Sequence, residues 1–375
     1  MALDGEFDPP PSPQELGVGA RVLAPAAPRR RRILTSFMTS RLALTRTQIL
    51  AFRRNVGALD ERLPRGRRSL RRAAWAGLQD SMPRAALLSI SARVEGTKPS
   101  TWEDPSLVQV WGPRFSAYVV AARDVAIFTL GRLPDDSKGR GVAEELAVRL
   151  HAHLAGRRMT YGEAGRGLGE QPNRLRYAAP TATVLIRWDG ARQPTVWTSP
   201  RPKVDPRDAR LELARRYLHV FGPAMPGAFA QWAGISPREG SSAFETLRGS
   251  LTGVRTPVGD GWILTRDEPT FRAAPRHPAQ ARLLPSGDAY FLLQGHDRDL
   301  LVPDAARRRL LWTPRVWPGG LLVEGEIVGT WRRAHEIVTI EIWRRLSRAA
   351  RDAVEAEAES LPLPGVQGRI VVRWD

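Results

Sequence analysis

Three polar side chains in a row interrupt an apolar stretch of this chain. The segment AAWAGLQDSMPRAALLSISARV, residues 73 to 94, reads as buried helix on both sides of Gln79, Asp80 and Ser81. An amide, a carboxylate and a hydroxyl at consecutive positions can grip a water molecule and polarise it. The same residues can equally serve the backbone. Pro83 suits the first turn of a helix, Asp80 or Ser81 suits the cap before it, and Gly77 suits the end of the preceding helix. Local chemistry leaves both readings open.

Other chemistry is not encoded. The chain has no cysteine, which excludes disulfides, thiolate metal sites and cysteine nucleophiles, and fits a cytoplasmic protein. The six histidines make no metal signature: His151 and His153 stand two apart, on different faces of a helix. Neither a phosphate-binding glycine–lysine loop nor a serine nucleophile elbow is present. No metal and no cofactor is expected. No apolar run is long enough to span a membrane, and the N-terminus lacks a signal-peptide apolar core.

Charge points to a polyanion. The 375 residues carry 57 basic and 39 acidic side chains, a net charge of +18, and only Lys98, Lys138 and Lys203 are lysine. A GC-rich genome explains arginine in place of lysine but not the excess of arginine over acid. Such an excess suggests a polyanionic partner, most often nucleic acid. Residues 53 to 72 hold eight arginines against Asp60 and Glu61. This run adjoins Gln79, so Arg65, Arg67, Arg68, Arg71 and Arg72, with Arg84 beyond the junction, are the expected DNA contacts. The bland alternative is a solvated face partly paired with local acids.

The elements that must position these groups suggest an α+β fold of tandem winged-helix domains with a C-terminal β-rich α+β module. Residues 1–40, with PPPSPQ and APAAPRRRR, read as an unstructured leader or a mis-called start, with Arg29 to Arg32 as a basic arm in the alternative. A first winged helix is expected over 41–140, opening with a helix capped by Thr45 and carrying Ile49, Leu50, Phe52 and Val56 on its apolar face. Two further copies are expected over 141–203 and 204–275, sharing Gly156/Gly222 and Met159/Met225, each pair 66 residues apart. Each copy closes in a hairpin, with turns expected at Asp189-Gly190 and Asp260-Gly261. Residues 276–375 read as strands, with a turn at Glu324-Gly325 and a helix capped by Ser347.

Five stretches carry a family resemblance: GLQDSMPRAAL, LVQVWGPRFSAYVVAARD, ELARRYLHVFGPAMPGAFAQWAGIS, LLPSGDAYFLLQGHDRDLLVP and VEGEIVGTWRR. In that order they resemble the AlkZ/YcaQ-like family of winged-helix DNA-binding proteins, over roughly residues 42 to 361. The resemblance implies three winged helices closed into a C-shaped body. It further implies a monofunctional DNA glycosylase acting on double-stranded DNA, likeness to members that excise bulky N-alkylated purines and unhook interstrand crosslinks, and a monomer in the cytoplasm, associated with the nucleoid. The family's catalytic motif is glutamine, an aliphatic residue, then glutamine or aspartate. It falls on Gln79, Asp80 and Ser81: Gln79 matches, Asp80 stands where an apolar residue is usual, and Ser81 stands at the second catalytic position. Asp80 takes over as base only if the junction turns by one residue. Tyr118 sits where relatives often carry histidine and is a candidate for the lesion pocket, with core or surface packing as the alternative. The half-matched motif leaves a second reading beside the glycosylase: a non-catalytic protein that binds DNA or a lesion. A third, winged helices that bind protein, is disfavoured by the charge.

Overall fold

The computed structural model describes residues 42–375 apart from 83, 191, 274–276 and 367. The leader with Arg29 to Arg32, and Pro83, lie outside the described residues. The helix Arg46–Val56 starts as expected: Thr45 accepts the Gln48 N–H at 3.2 Å while the Gln48 side chain accepts the Thr45 N–H at 2.9 Å. Ile49, Leu50 and Phe52 turn inward from it.

The fold is α+β, and its described strands form three sheets. Leu42–Ala43 lies parallel to Leu251–Thr256, which hairpins with Gly259–Leu264. A six-stranded sheet runs in the order Leu78–Gln79, Ala117–Ala121, Leu107–Trp111, Val184–Arg187, Thr195–Thr198, Met159–Thr160. A five-stranded sheet joins Ala281–Leu284, Gly319–Val323, Glu326–Ala334, Ile337–Ile342 and Val371–Trp374. Two of these sheets mix strands from segments expected to be separate domains, and one core runs from Leu50 through Tyr118 and Trp232 to Phe291. Residues 41 to 375 accordingly form one unit, because apolar faces too small to be buried alone are buried against one another.

The two segments expected as repeats differ in their elements. Helices Pro206–Phe221, Pro226–Ala233 and Pro237–Leu247 precede the 251–264 hairpin, an order compatible with a winged helix. In the other copy, helices Ser137–Leu154 and Tyr161–Leu168 are followed by a 3₁₀ segment, Pro172–Thr181, with Pro180 inside it. Proline lacks the N–H an α-helix needs there. The matched landmarks also diverge: Met159 begins a strand whereas Met225 caps a helix.

One turn falls elsewhere than expected, and another lies in a longer loop. Thr256 pairs with Gly259 and Asp260 pairs with Arg255, so the hairpin turns at Pro257-Val258 and Asp260-Gly261 is inside a strand. The strands around Asp189-Gly190 end at Arg187 and resume at Thr195, a loop longer than a two-residue turn. The other turn is as read: Val323 pairs with Glu326 across Glu324 and Gly325, both at positive φ. Ser347 accepts the Ala350 N–H and caps Arg348–Glu359, which buries Val354 against the C-terminal sheet.

Part of the arginine excess is internal. Arg53 donates to the carbonyls of Phe221 and Gly222, Arg132 to those of Ala233 and Trp111, and Arg210 to those of Gly131 and Leu133. The first two satisfy carbonyls at the ends of helices Pro206–Phe221 and Pro226–Ala233, which have no partner within the helix.

Candidate functional site

The polar triplet lies on an edge strand. The helix Arg67–Ala73 stops well before Gln79, and the chain turns at Gly77, where φ is +73°. A Cβ at Gly77 would stand 2.8 Å from the Phe128 ring and 2.9 Å from that of Tyr118, so only glycine passes over this pair. Leu78 and Gln79 then pair antiparallel with Val119 and Tyr118, and the Asp80 N–H extends the ladder to the Ala117 carbonyl at 2.8 Å. Extended backbone alternates its side chains. Gln79 and Ser81 therefore share one side and Asp80 takes the other.

Asp80 is 1% exposed and fully engaged. Its Oδ1 accepts the Ala86 N–H at 2.9 Å, in the first turn of helix Ala85–Ser91, and its Oδ2 accepts Gln109 Nε2 at 2.8 Å. Gln109 is fixed in turn by the Trp188 N–H on its Oε1 at 2.6 Å. Burial pushes the Asp80 carboxyl up to about 7, against the lowering effect of these hydrogen bonds and of Arg84. The strand pairing turns Asp80 away from the side that Gln79 and Ser81 share, and its carboxyl group serves the first turn of helix Ala85–Ser91 and the Gln109 amide.

Gln79 and Ser81 do meet. Gln79 Nε2 donates to Ser81 Oγ at 3.0 Å, and both residues are half-buried. Arg114 Nη2 reaches Gln79 Oε1 at 3.3 Å. An arginine N–H can only donate, so this contact fixes which end of the amide is oxygen. Gly287, at φ +74°, covers the amide so closely that a Cβ there would stand 3.2 Å from Gln79 Cδ. The next residue anchors that cover: Asp288 accepts from Ser89 Oγ at 2.7 Å and from both Nη atoms of Arg93 at 2.7 Å.

Arg114 is the residue the sequence reading missed. It sits with Phe115 in the turn between strands Leu107–Trp111 and Ala117–Ala121, and both have left-handed backbones, φ 53° and 56°. Two such residues in succession are strained unless their surroundings hold them. Here Arg132 lies 4.6 Å over the Phe115 ring, Tyr177 meets that ring edge-on at 4.9 Å, and Gly234 allows the Arg114 backbone to approach. The available signal was its place in WGPRFSAY, one of the stretches that carry the resemblance.

The other expected site residues divide. Tyr118 is 1% exposed and packs in the core, with its ring against Gly77 and Gly112. Arg84 is half-buried, its guanidinium 4.3 Å over the Trp102 ring that Arg187 also covers at 4.6 Å. Arg65, Arg67, Arg68 and Arg72 are exposed and Arg71 is half-exposed; Arg67 stands 3.6 Å from Asp104. Of the same run, Arg53 and Arg54 are buried and Arg62 pairs with Glu357 at 2.6 Å. The described residues hold no cluster of potential metal ligands and no helix long and apolar enough to cross a membrane.

The sequence from 70 to 362 matches the model of the AlkZ-like DNA glycosylase family. The chain belongs to that family. The AlkZ-like fold is also that of the DNA glycosylase AlkZ of Streptomyces sahachiroi, with a TM-score of 0.71 over 89% of this chain and 100% of that one, at 18% identity. A search of curated proteins gives no match. For an AlkZ-like chain, the arrangement offers an amide and a hydroxyl on one half-buried side, aligned by an arginine, with no carboxylate hydrogen-bonded to either among the described residues. Such a pair can hold a water by hydrogen bonds but cannot take its proton outright.

Proposed function

We propose that this protein is a monofunctional DNA glycosylase for N-alkylated purines, with Gln79 and Ser81 holding the attacking water. The observation that carries the reading is the 3.0 Å contact between Gln79 Nε2 and Ser81 Oγ, with the amide oriented by Arg114. An N7-alkylated guanine is already cationic, so its departure needs no protonation. The C1′–N9 bond breaks and its electron pair neutralises the base. Water then bonds to C1′ of the oxocarbenium-like sugar, and its proton passes to solvent. The protein must place that water and stabilise the cation, which polar groups do when preorganised. A strong base is therefore dispensable, which suits a site where Asp80 faces away and Asp288 is paired to Arg93 and Ser89.

The DNA lies against the exposed arginines Arg65, Arg67, Arg68, Arg71 and Arg72, which position the duplex through its phosphates. The protein works as a monomer on bulky adducts and crosslinks, in the cytoplasm, where the nucleoid is. The second reading, a non-catalytic lesion binder, draws on one observation: the motif's only carboxylate, Asp80, is spent on a helix cap.

The deciding experiment incubates the protein with a labelled duplex carrying one N7-alkylguanine, beside a bulky adduct and a crosslink, and then cleaves abasic sites with hot alkali. Strand scission that Gln79→Ala abolishes and Asp80→Asn retains supports the glycosylase with a Gln79–Ser81 water site. Salt-sensitive binding to every duplex with no scission on any supports the lesion binder.

A further inference from the structure

A second site lies on the other flank of the arginine helix. On the helix Arg67–Ala73, Arg68, Arg71 and Arg72 share one face, as residues three and four apart do. That face borders a cavity of about 410 Å³, which Arg123 also lines. Neither Gln79, Ser81 nor Arg114 lines it, and no carboxylate does. Arg68, Arg71 and Arg72 make no ion pair among the described residues. Arg123 is 3.8 Å from Asp124, but both oxygens of Asp124 are taken by Arg216 at 2.8 and 3.1 Å.

A further arginine stands behind this face. Arg53 stands in the cavity wall, is 2% exposed, and spends Nε and Nη2 on backbone carbonyls. Its Nη1 has no hydrogen-bond partner. Its charge adds to the positive potential of the cavity wall without an exposed donor of its own. The rest of the wall mixes apolar residues, among them Leu59, Leu63 and Ala76, with Tyr290, His219, the half-buried Trp75 and Arg93, whose guanidinium is held by Asp288.

We propose that this cavity binds a small phosphorylated molecule with a planar or apolar body, of the size of a mononucleotide, at a site separate from Gln79. Contact with a DNA backbone requires only exposed cations. A half-open concave space of this size, with Trp75 in its wall and no carboxylate among the described lining residues, is instead dimensioned for a compact ligand; small-molecule sites run from about 300 to 1,000 Å³. Arginine forks at the mouth match a phosphate's oxygens, and the apolar interior takes the attached body.

The test uses the full chain and readouts independent of base excision: calorimetric titration and thermal stability. The probes are inorganic phosphate, a nucleoside monophosphate, the corresponding uncharged nucleoside and an undamaged duplex. The expected result is saturable binding of the monophosphate, tighter than that of the nucleoside, with a rise in Tm. Arg68→Ala combined with Arg71→Ala, both at surface positions, weakens that binding by about tenfold or more and leaves the unliganded Tm in place, while Gln79→Ala binds as well as the parent. The proposal is overturned if no mononucleotide or phosphate binds, if the double variant binds equally well, or if only the duplex responds to the substitutions.

Discussion

Arg114 Nη2 approaches Gln79 Oε1 at 3.3 Å, and this contact orients the proposed water site. Because the guanidinium can only donate, the amide oxygen must face it, and the amide nitrogen must face Ser81 Oγ. One residue in a strained turn thereby fixes the arrangement of two others on an edge strand.

If that arrangement places the water, its three members contribute unequally. Gln79→Ala should lower single-turnover excision of N7-alkylguanine by about a hundredfold. Ser81→Ala should lower it by about tenfold, the worth of one hydrogen bond to a held water. Arg114→Ala should slow excision while duplex affinity stays close to that of the parent. Equal rates for the parent and Gln79→Ala would remove the site from the chemistry.

Asp80 should report on pH through stability rather than rate. Its folded pKa, about 7, lies above the ordinary 3.8 because of burial. The folded state therefore holds the proton more tightly than the unfolded chain does. Asp80's contribution is greatest below about pH 4, declines as pH rises, and is lost once pH passes the folded value near 7. Urea unfolding of the parent and Asp80→Asn across this window should differ in slope, the variant being flatter. The variant should also be less stable throughout, since its amide sets a donor against the Ala86 N–H or the Gln109 amide. Parallel pH profiles would contradict this account.

Gly287 is a positioning residue. Alanine there adds a Cβ 3.2 Å from Gln79 Cδ on a backbone of φ +74°. The backbone strain should cost about 1–2 kcal/mol, and the displaced amide should slow excision more than lesion binding. A variant that loses stability but keeps the parental excision rate would show that Gly287 serves the turn alone.

The cover over Gln79 depends on a buried ion pair. Arg93 and Asp288 are 4% and 0% exposed in their side chains. Asp288→Ala leaves a guanidinium buried without its partner and should cost about 3–5 kcal/mol in urea unfolding. A loss below about 1 kcal/mol would mean that the Arg93 charge finds another acceptor.

Exposed arginines should act through salt. Substituting Arg65 or Arg72 with alanine should weaken duplex binding about equally for every sequence. It should also lower the slope of log affinity against log salt by about one for each phosphate no longer neutralised. Arg62→Ala should instead lower stability, because Arg62 is engaged by Glu357 and the Ser91 carbonyl. A salt slope unchanged in both exposed variants would place the DNA elsewhere.

Local rules made much of the fold legible. Thr45 and Ser347 cap helices because their hydroxyls satisfy N–H groups a few residues on, and Glu324-Gly325 turns because its flanking strands leave room for nothing longer. Family membership was legible too, since its motifs are short and ordered along the chain. What local rules misplaced were the positions set by distant partners. Asp260-Gly261 has the composition of a turn, yet Val254 and Arg255 pair with it and draw it into a strand. Eight arginines in one run look alike in sequence, but a distant helix end takes Arg53, the nearby Asp60 and the Gly325 carbonyl take Arg54, and the distant Glu357 takes Arg62.

The polar triplet divides along the same line. The sequence by itself determined that an amide, a carboxylate and a hydroxyl stand together before the helix Ala85–Ser91, and that Gly77 precedes them. Only the tertiary structure decided which two of the three share a side. Pairing with Ala117–Ala121 holds residues 78 to 80 extended, and an extended chain alternates its side chains. That register sends Asp80 to the Ala86 N–H and Gln109 and leaves Gln79 facing Ser81, an assignment that depends on a strand formed well after the motif in the sequence.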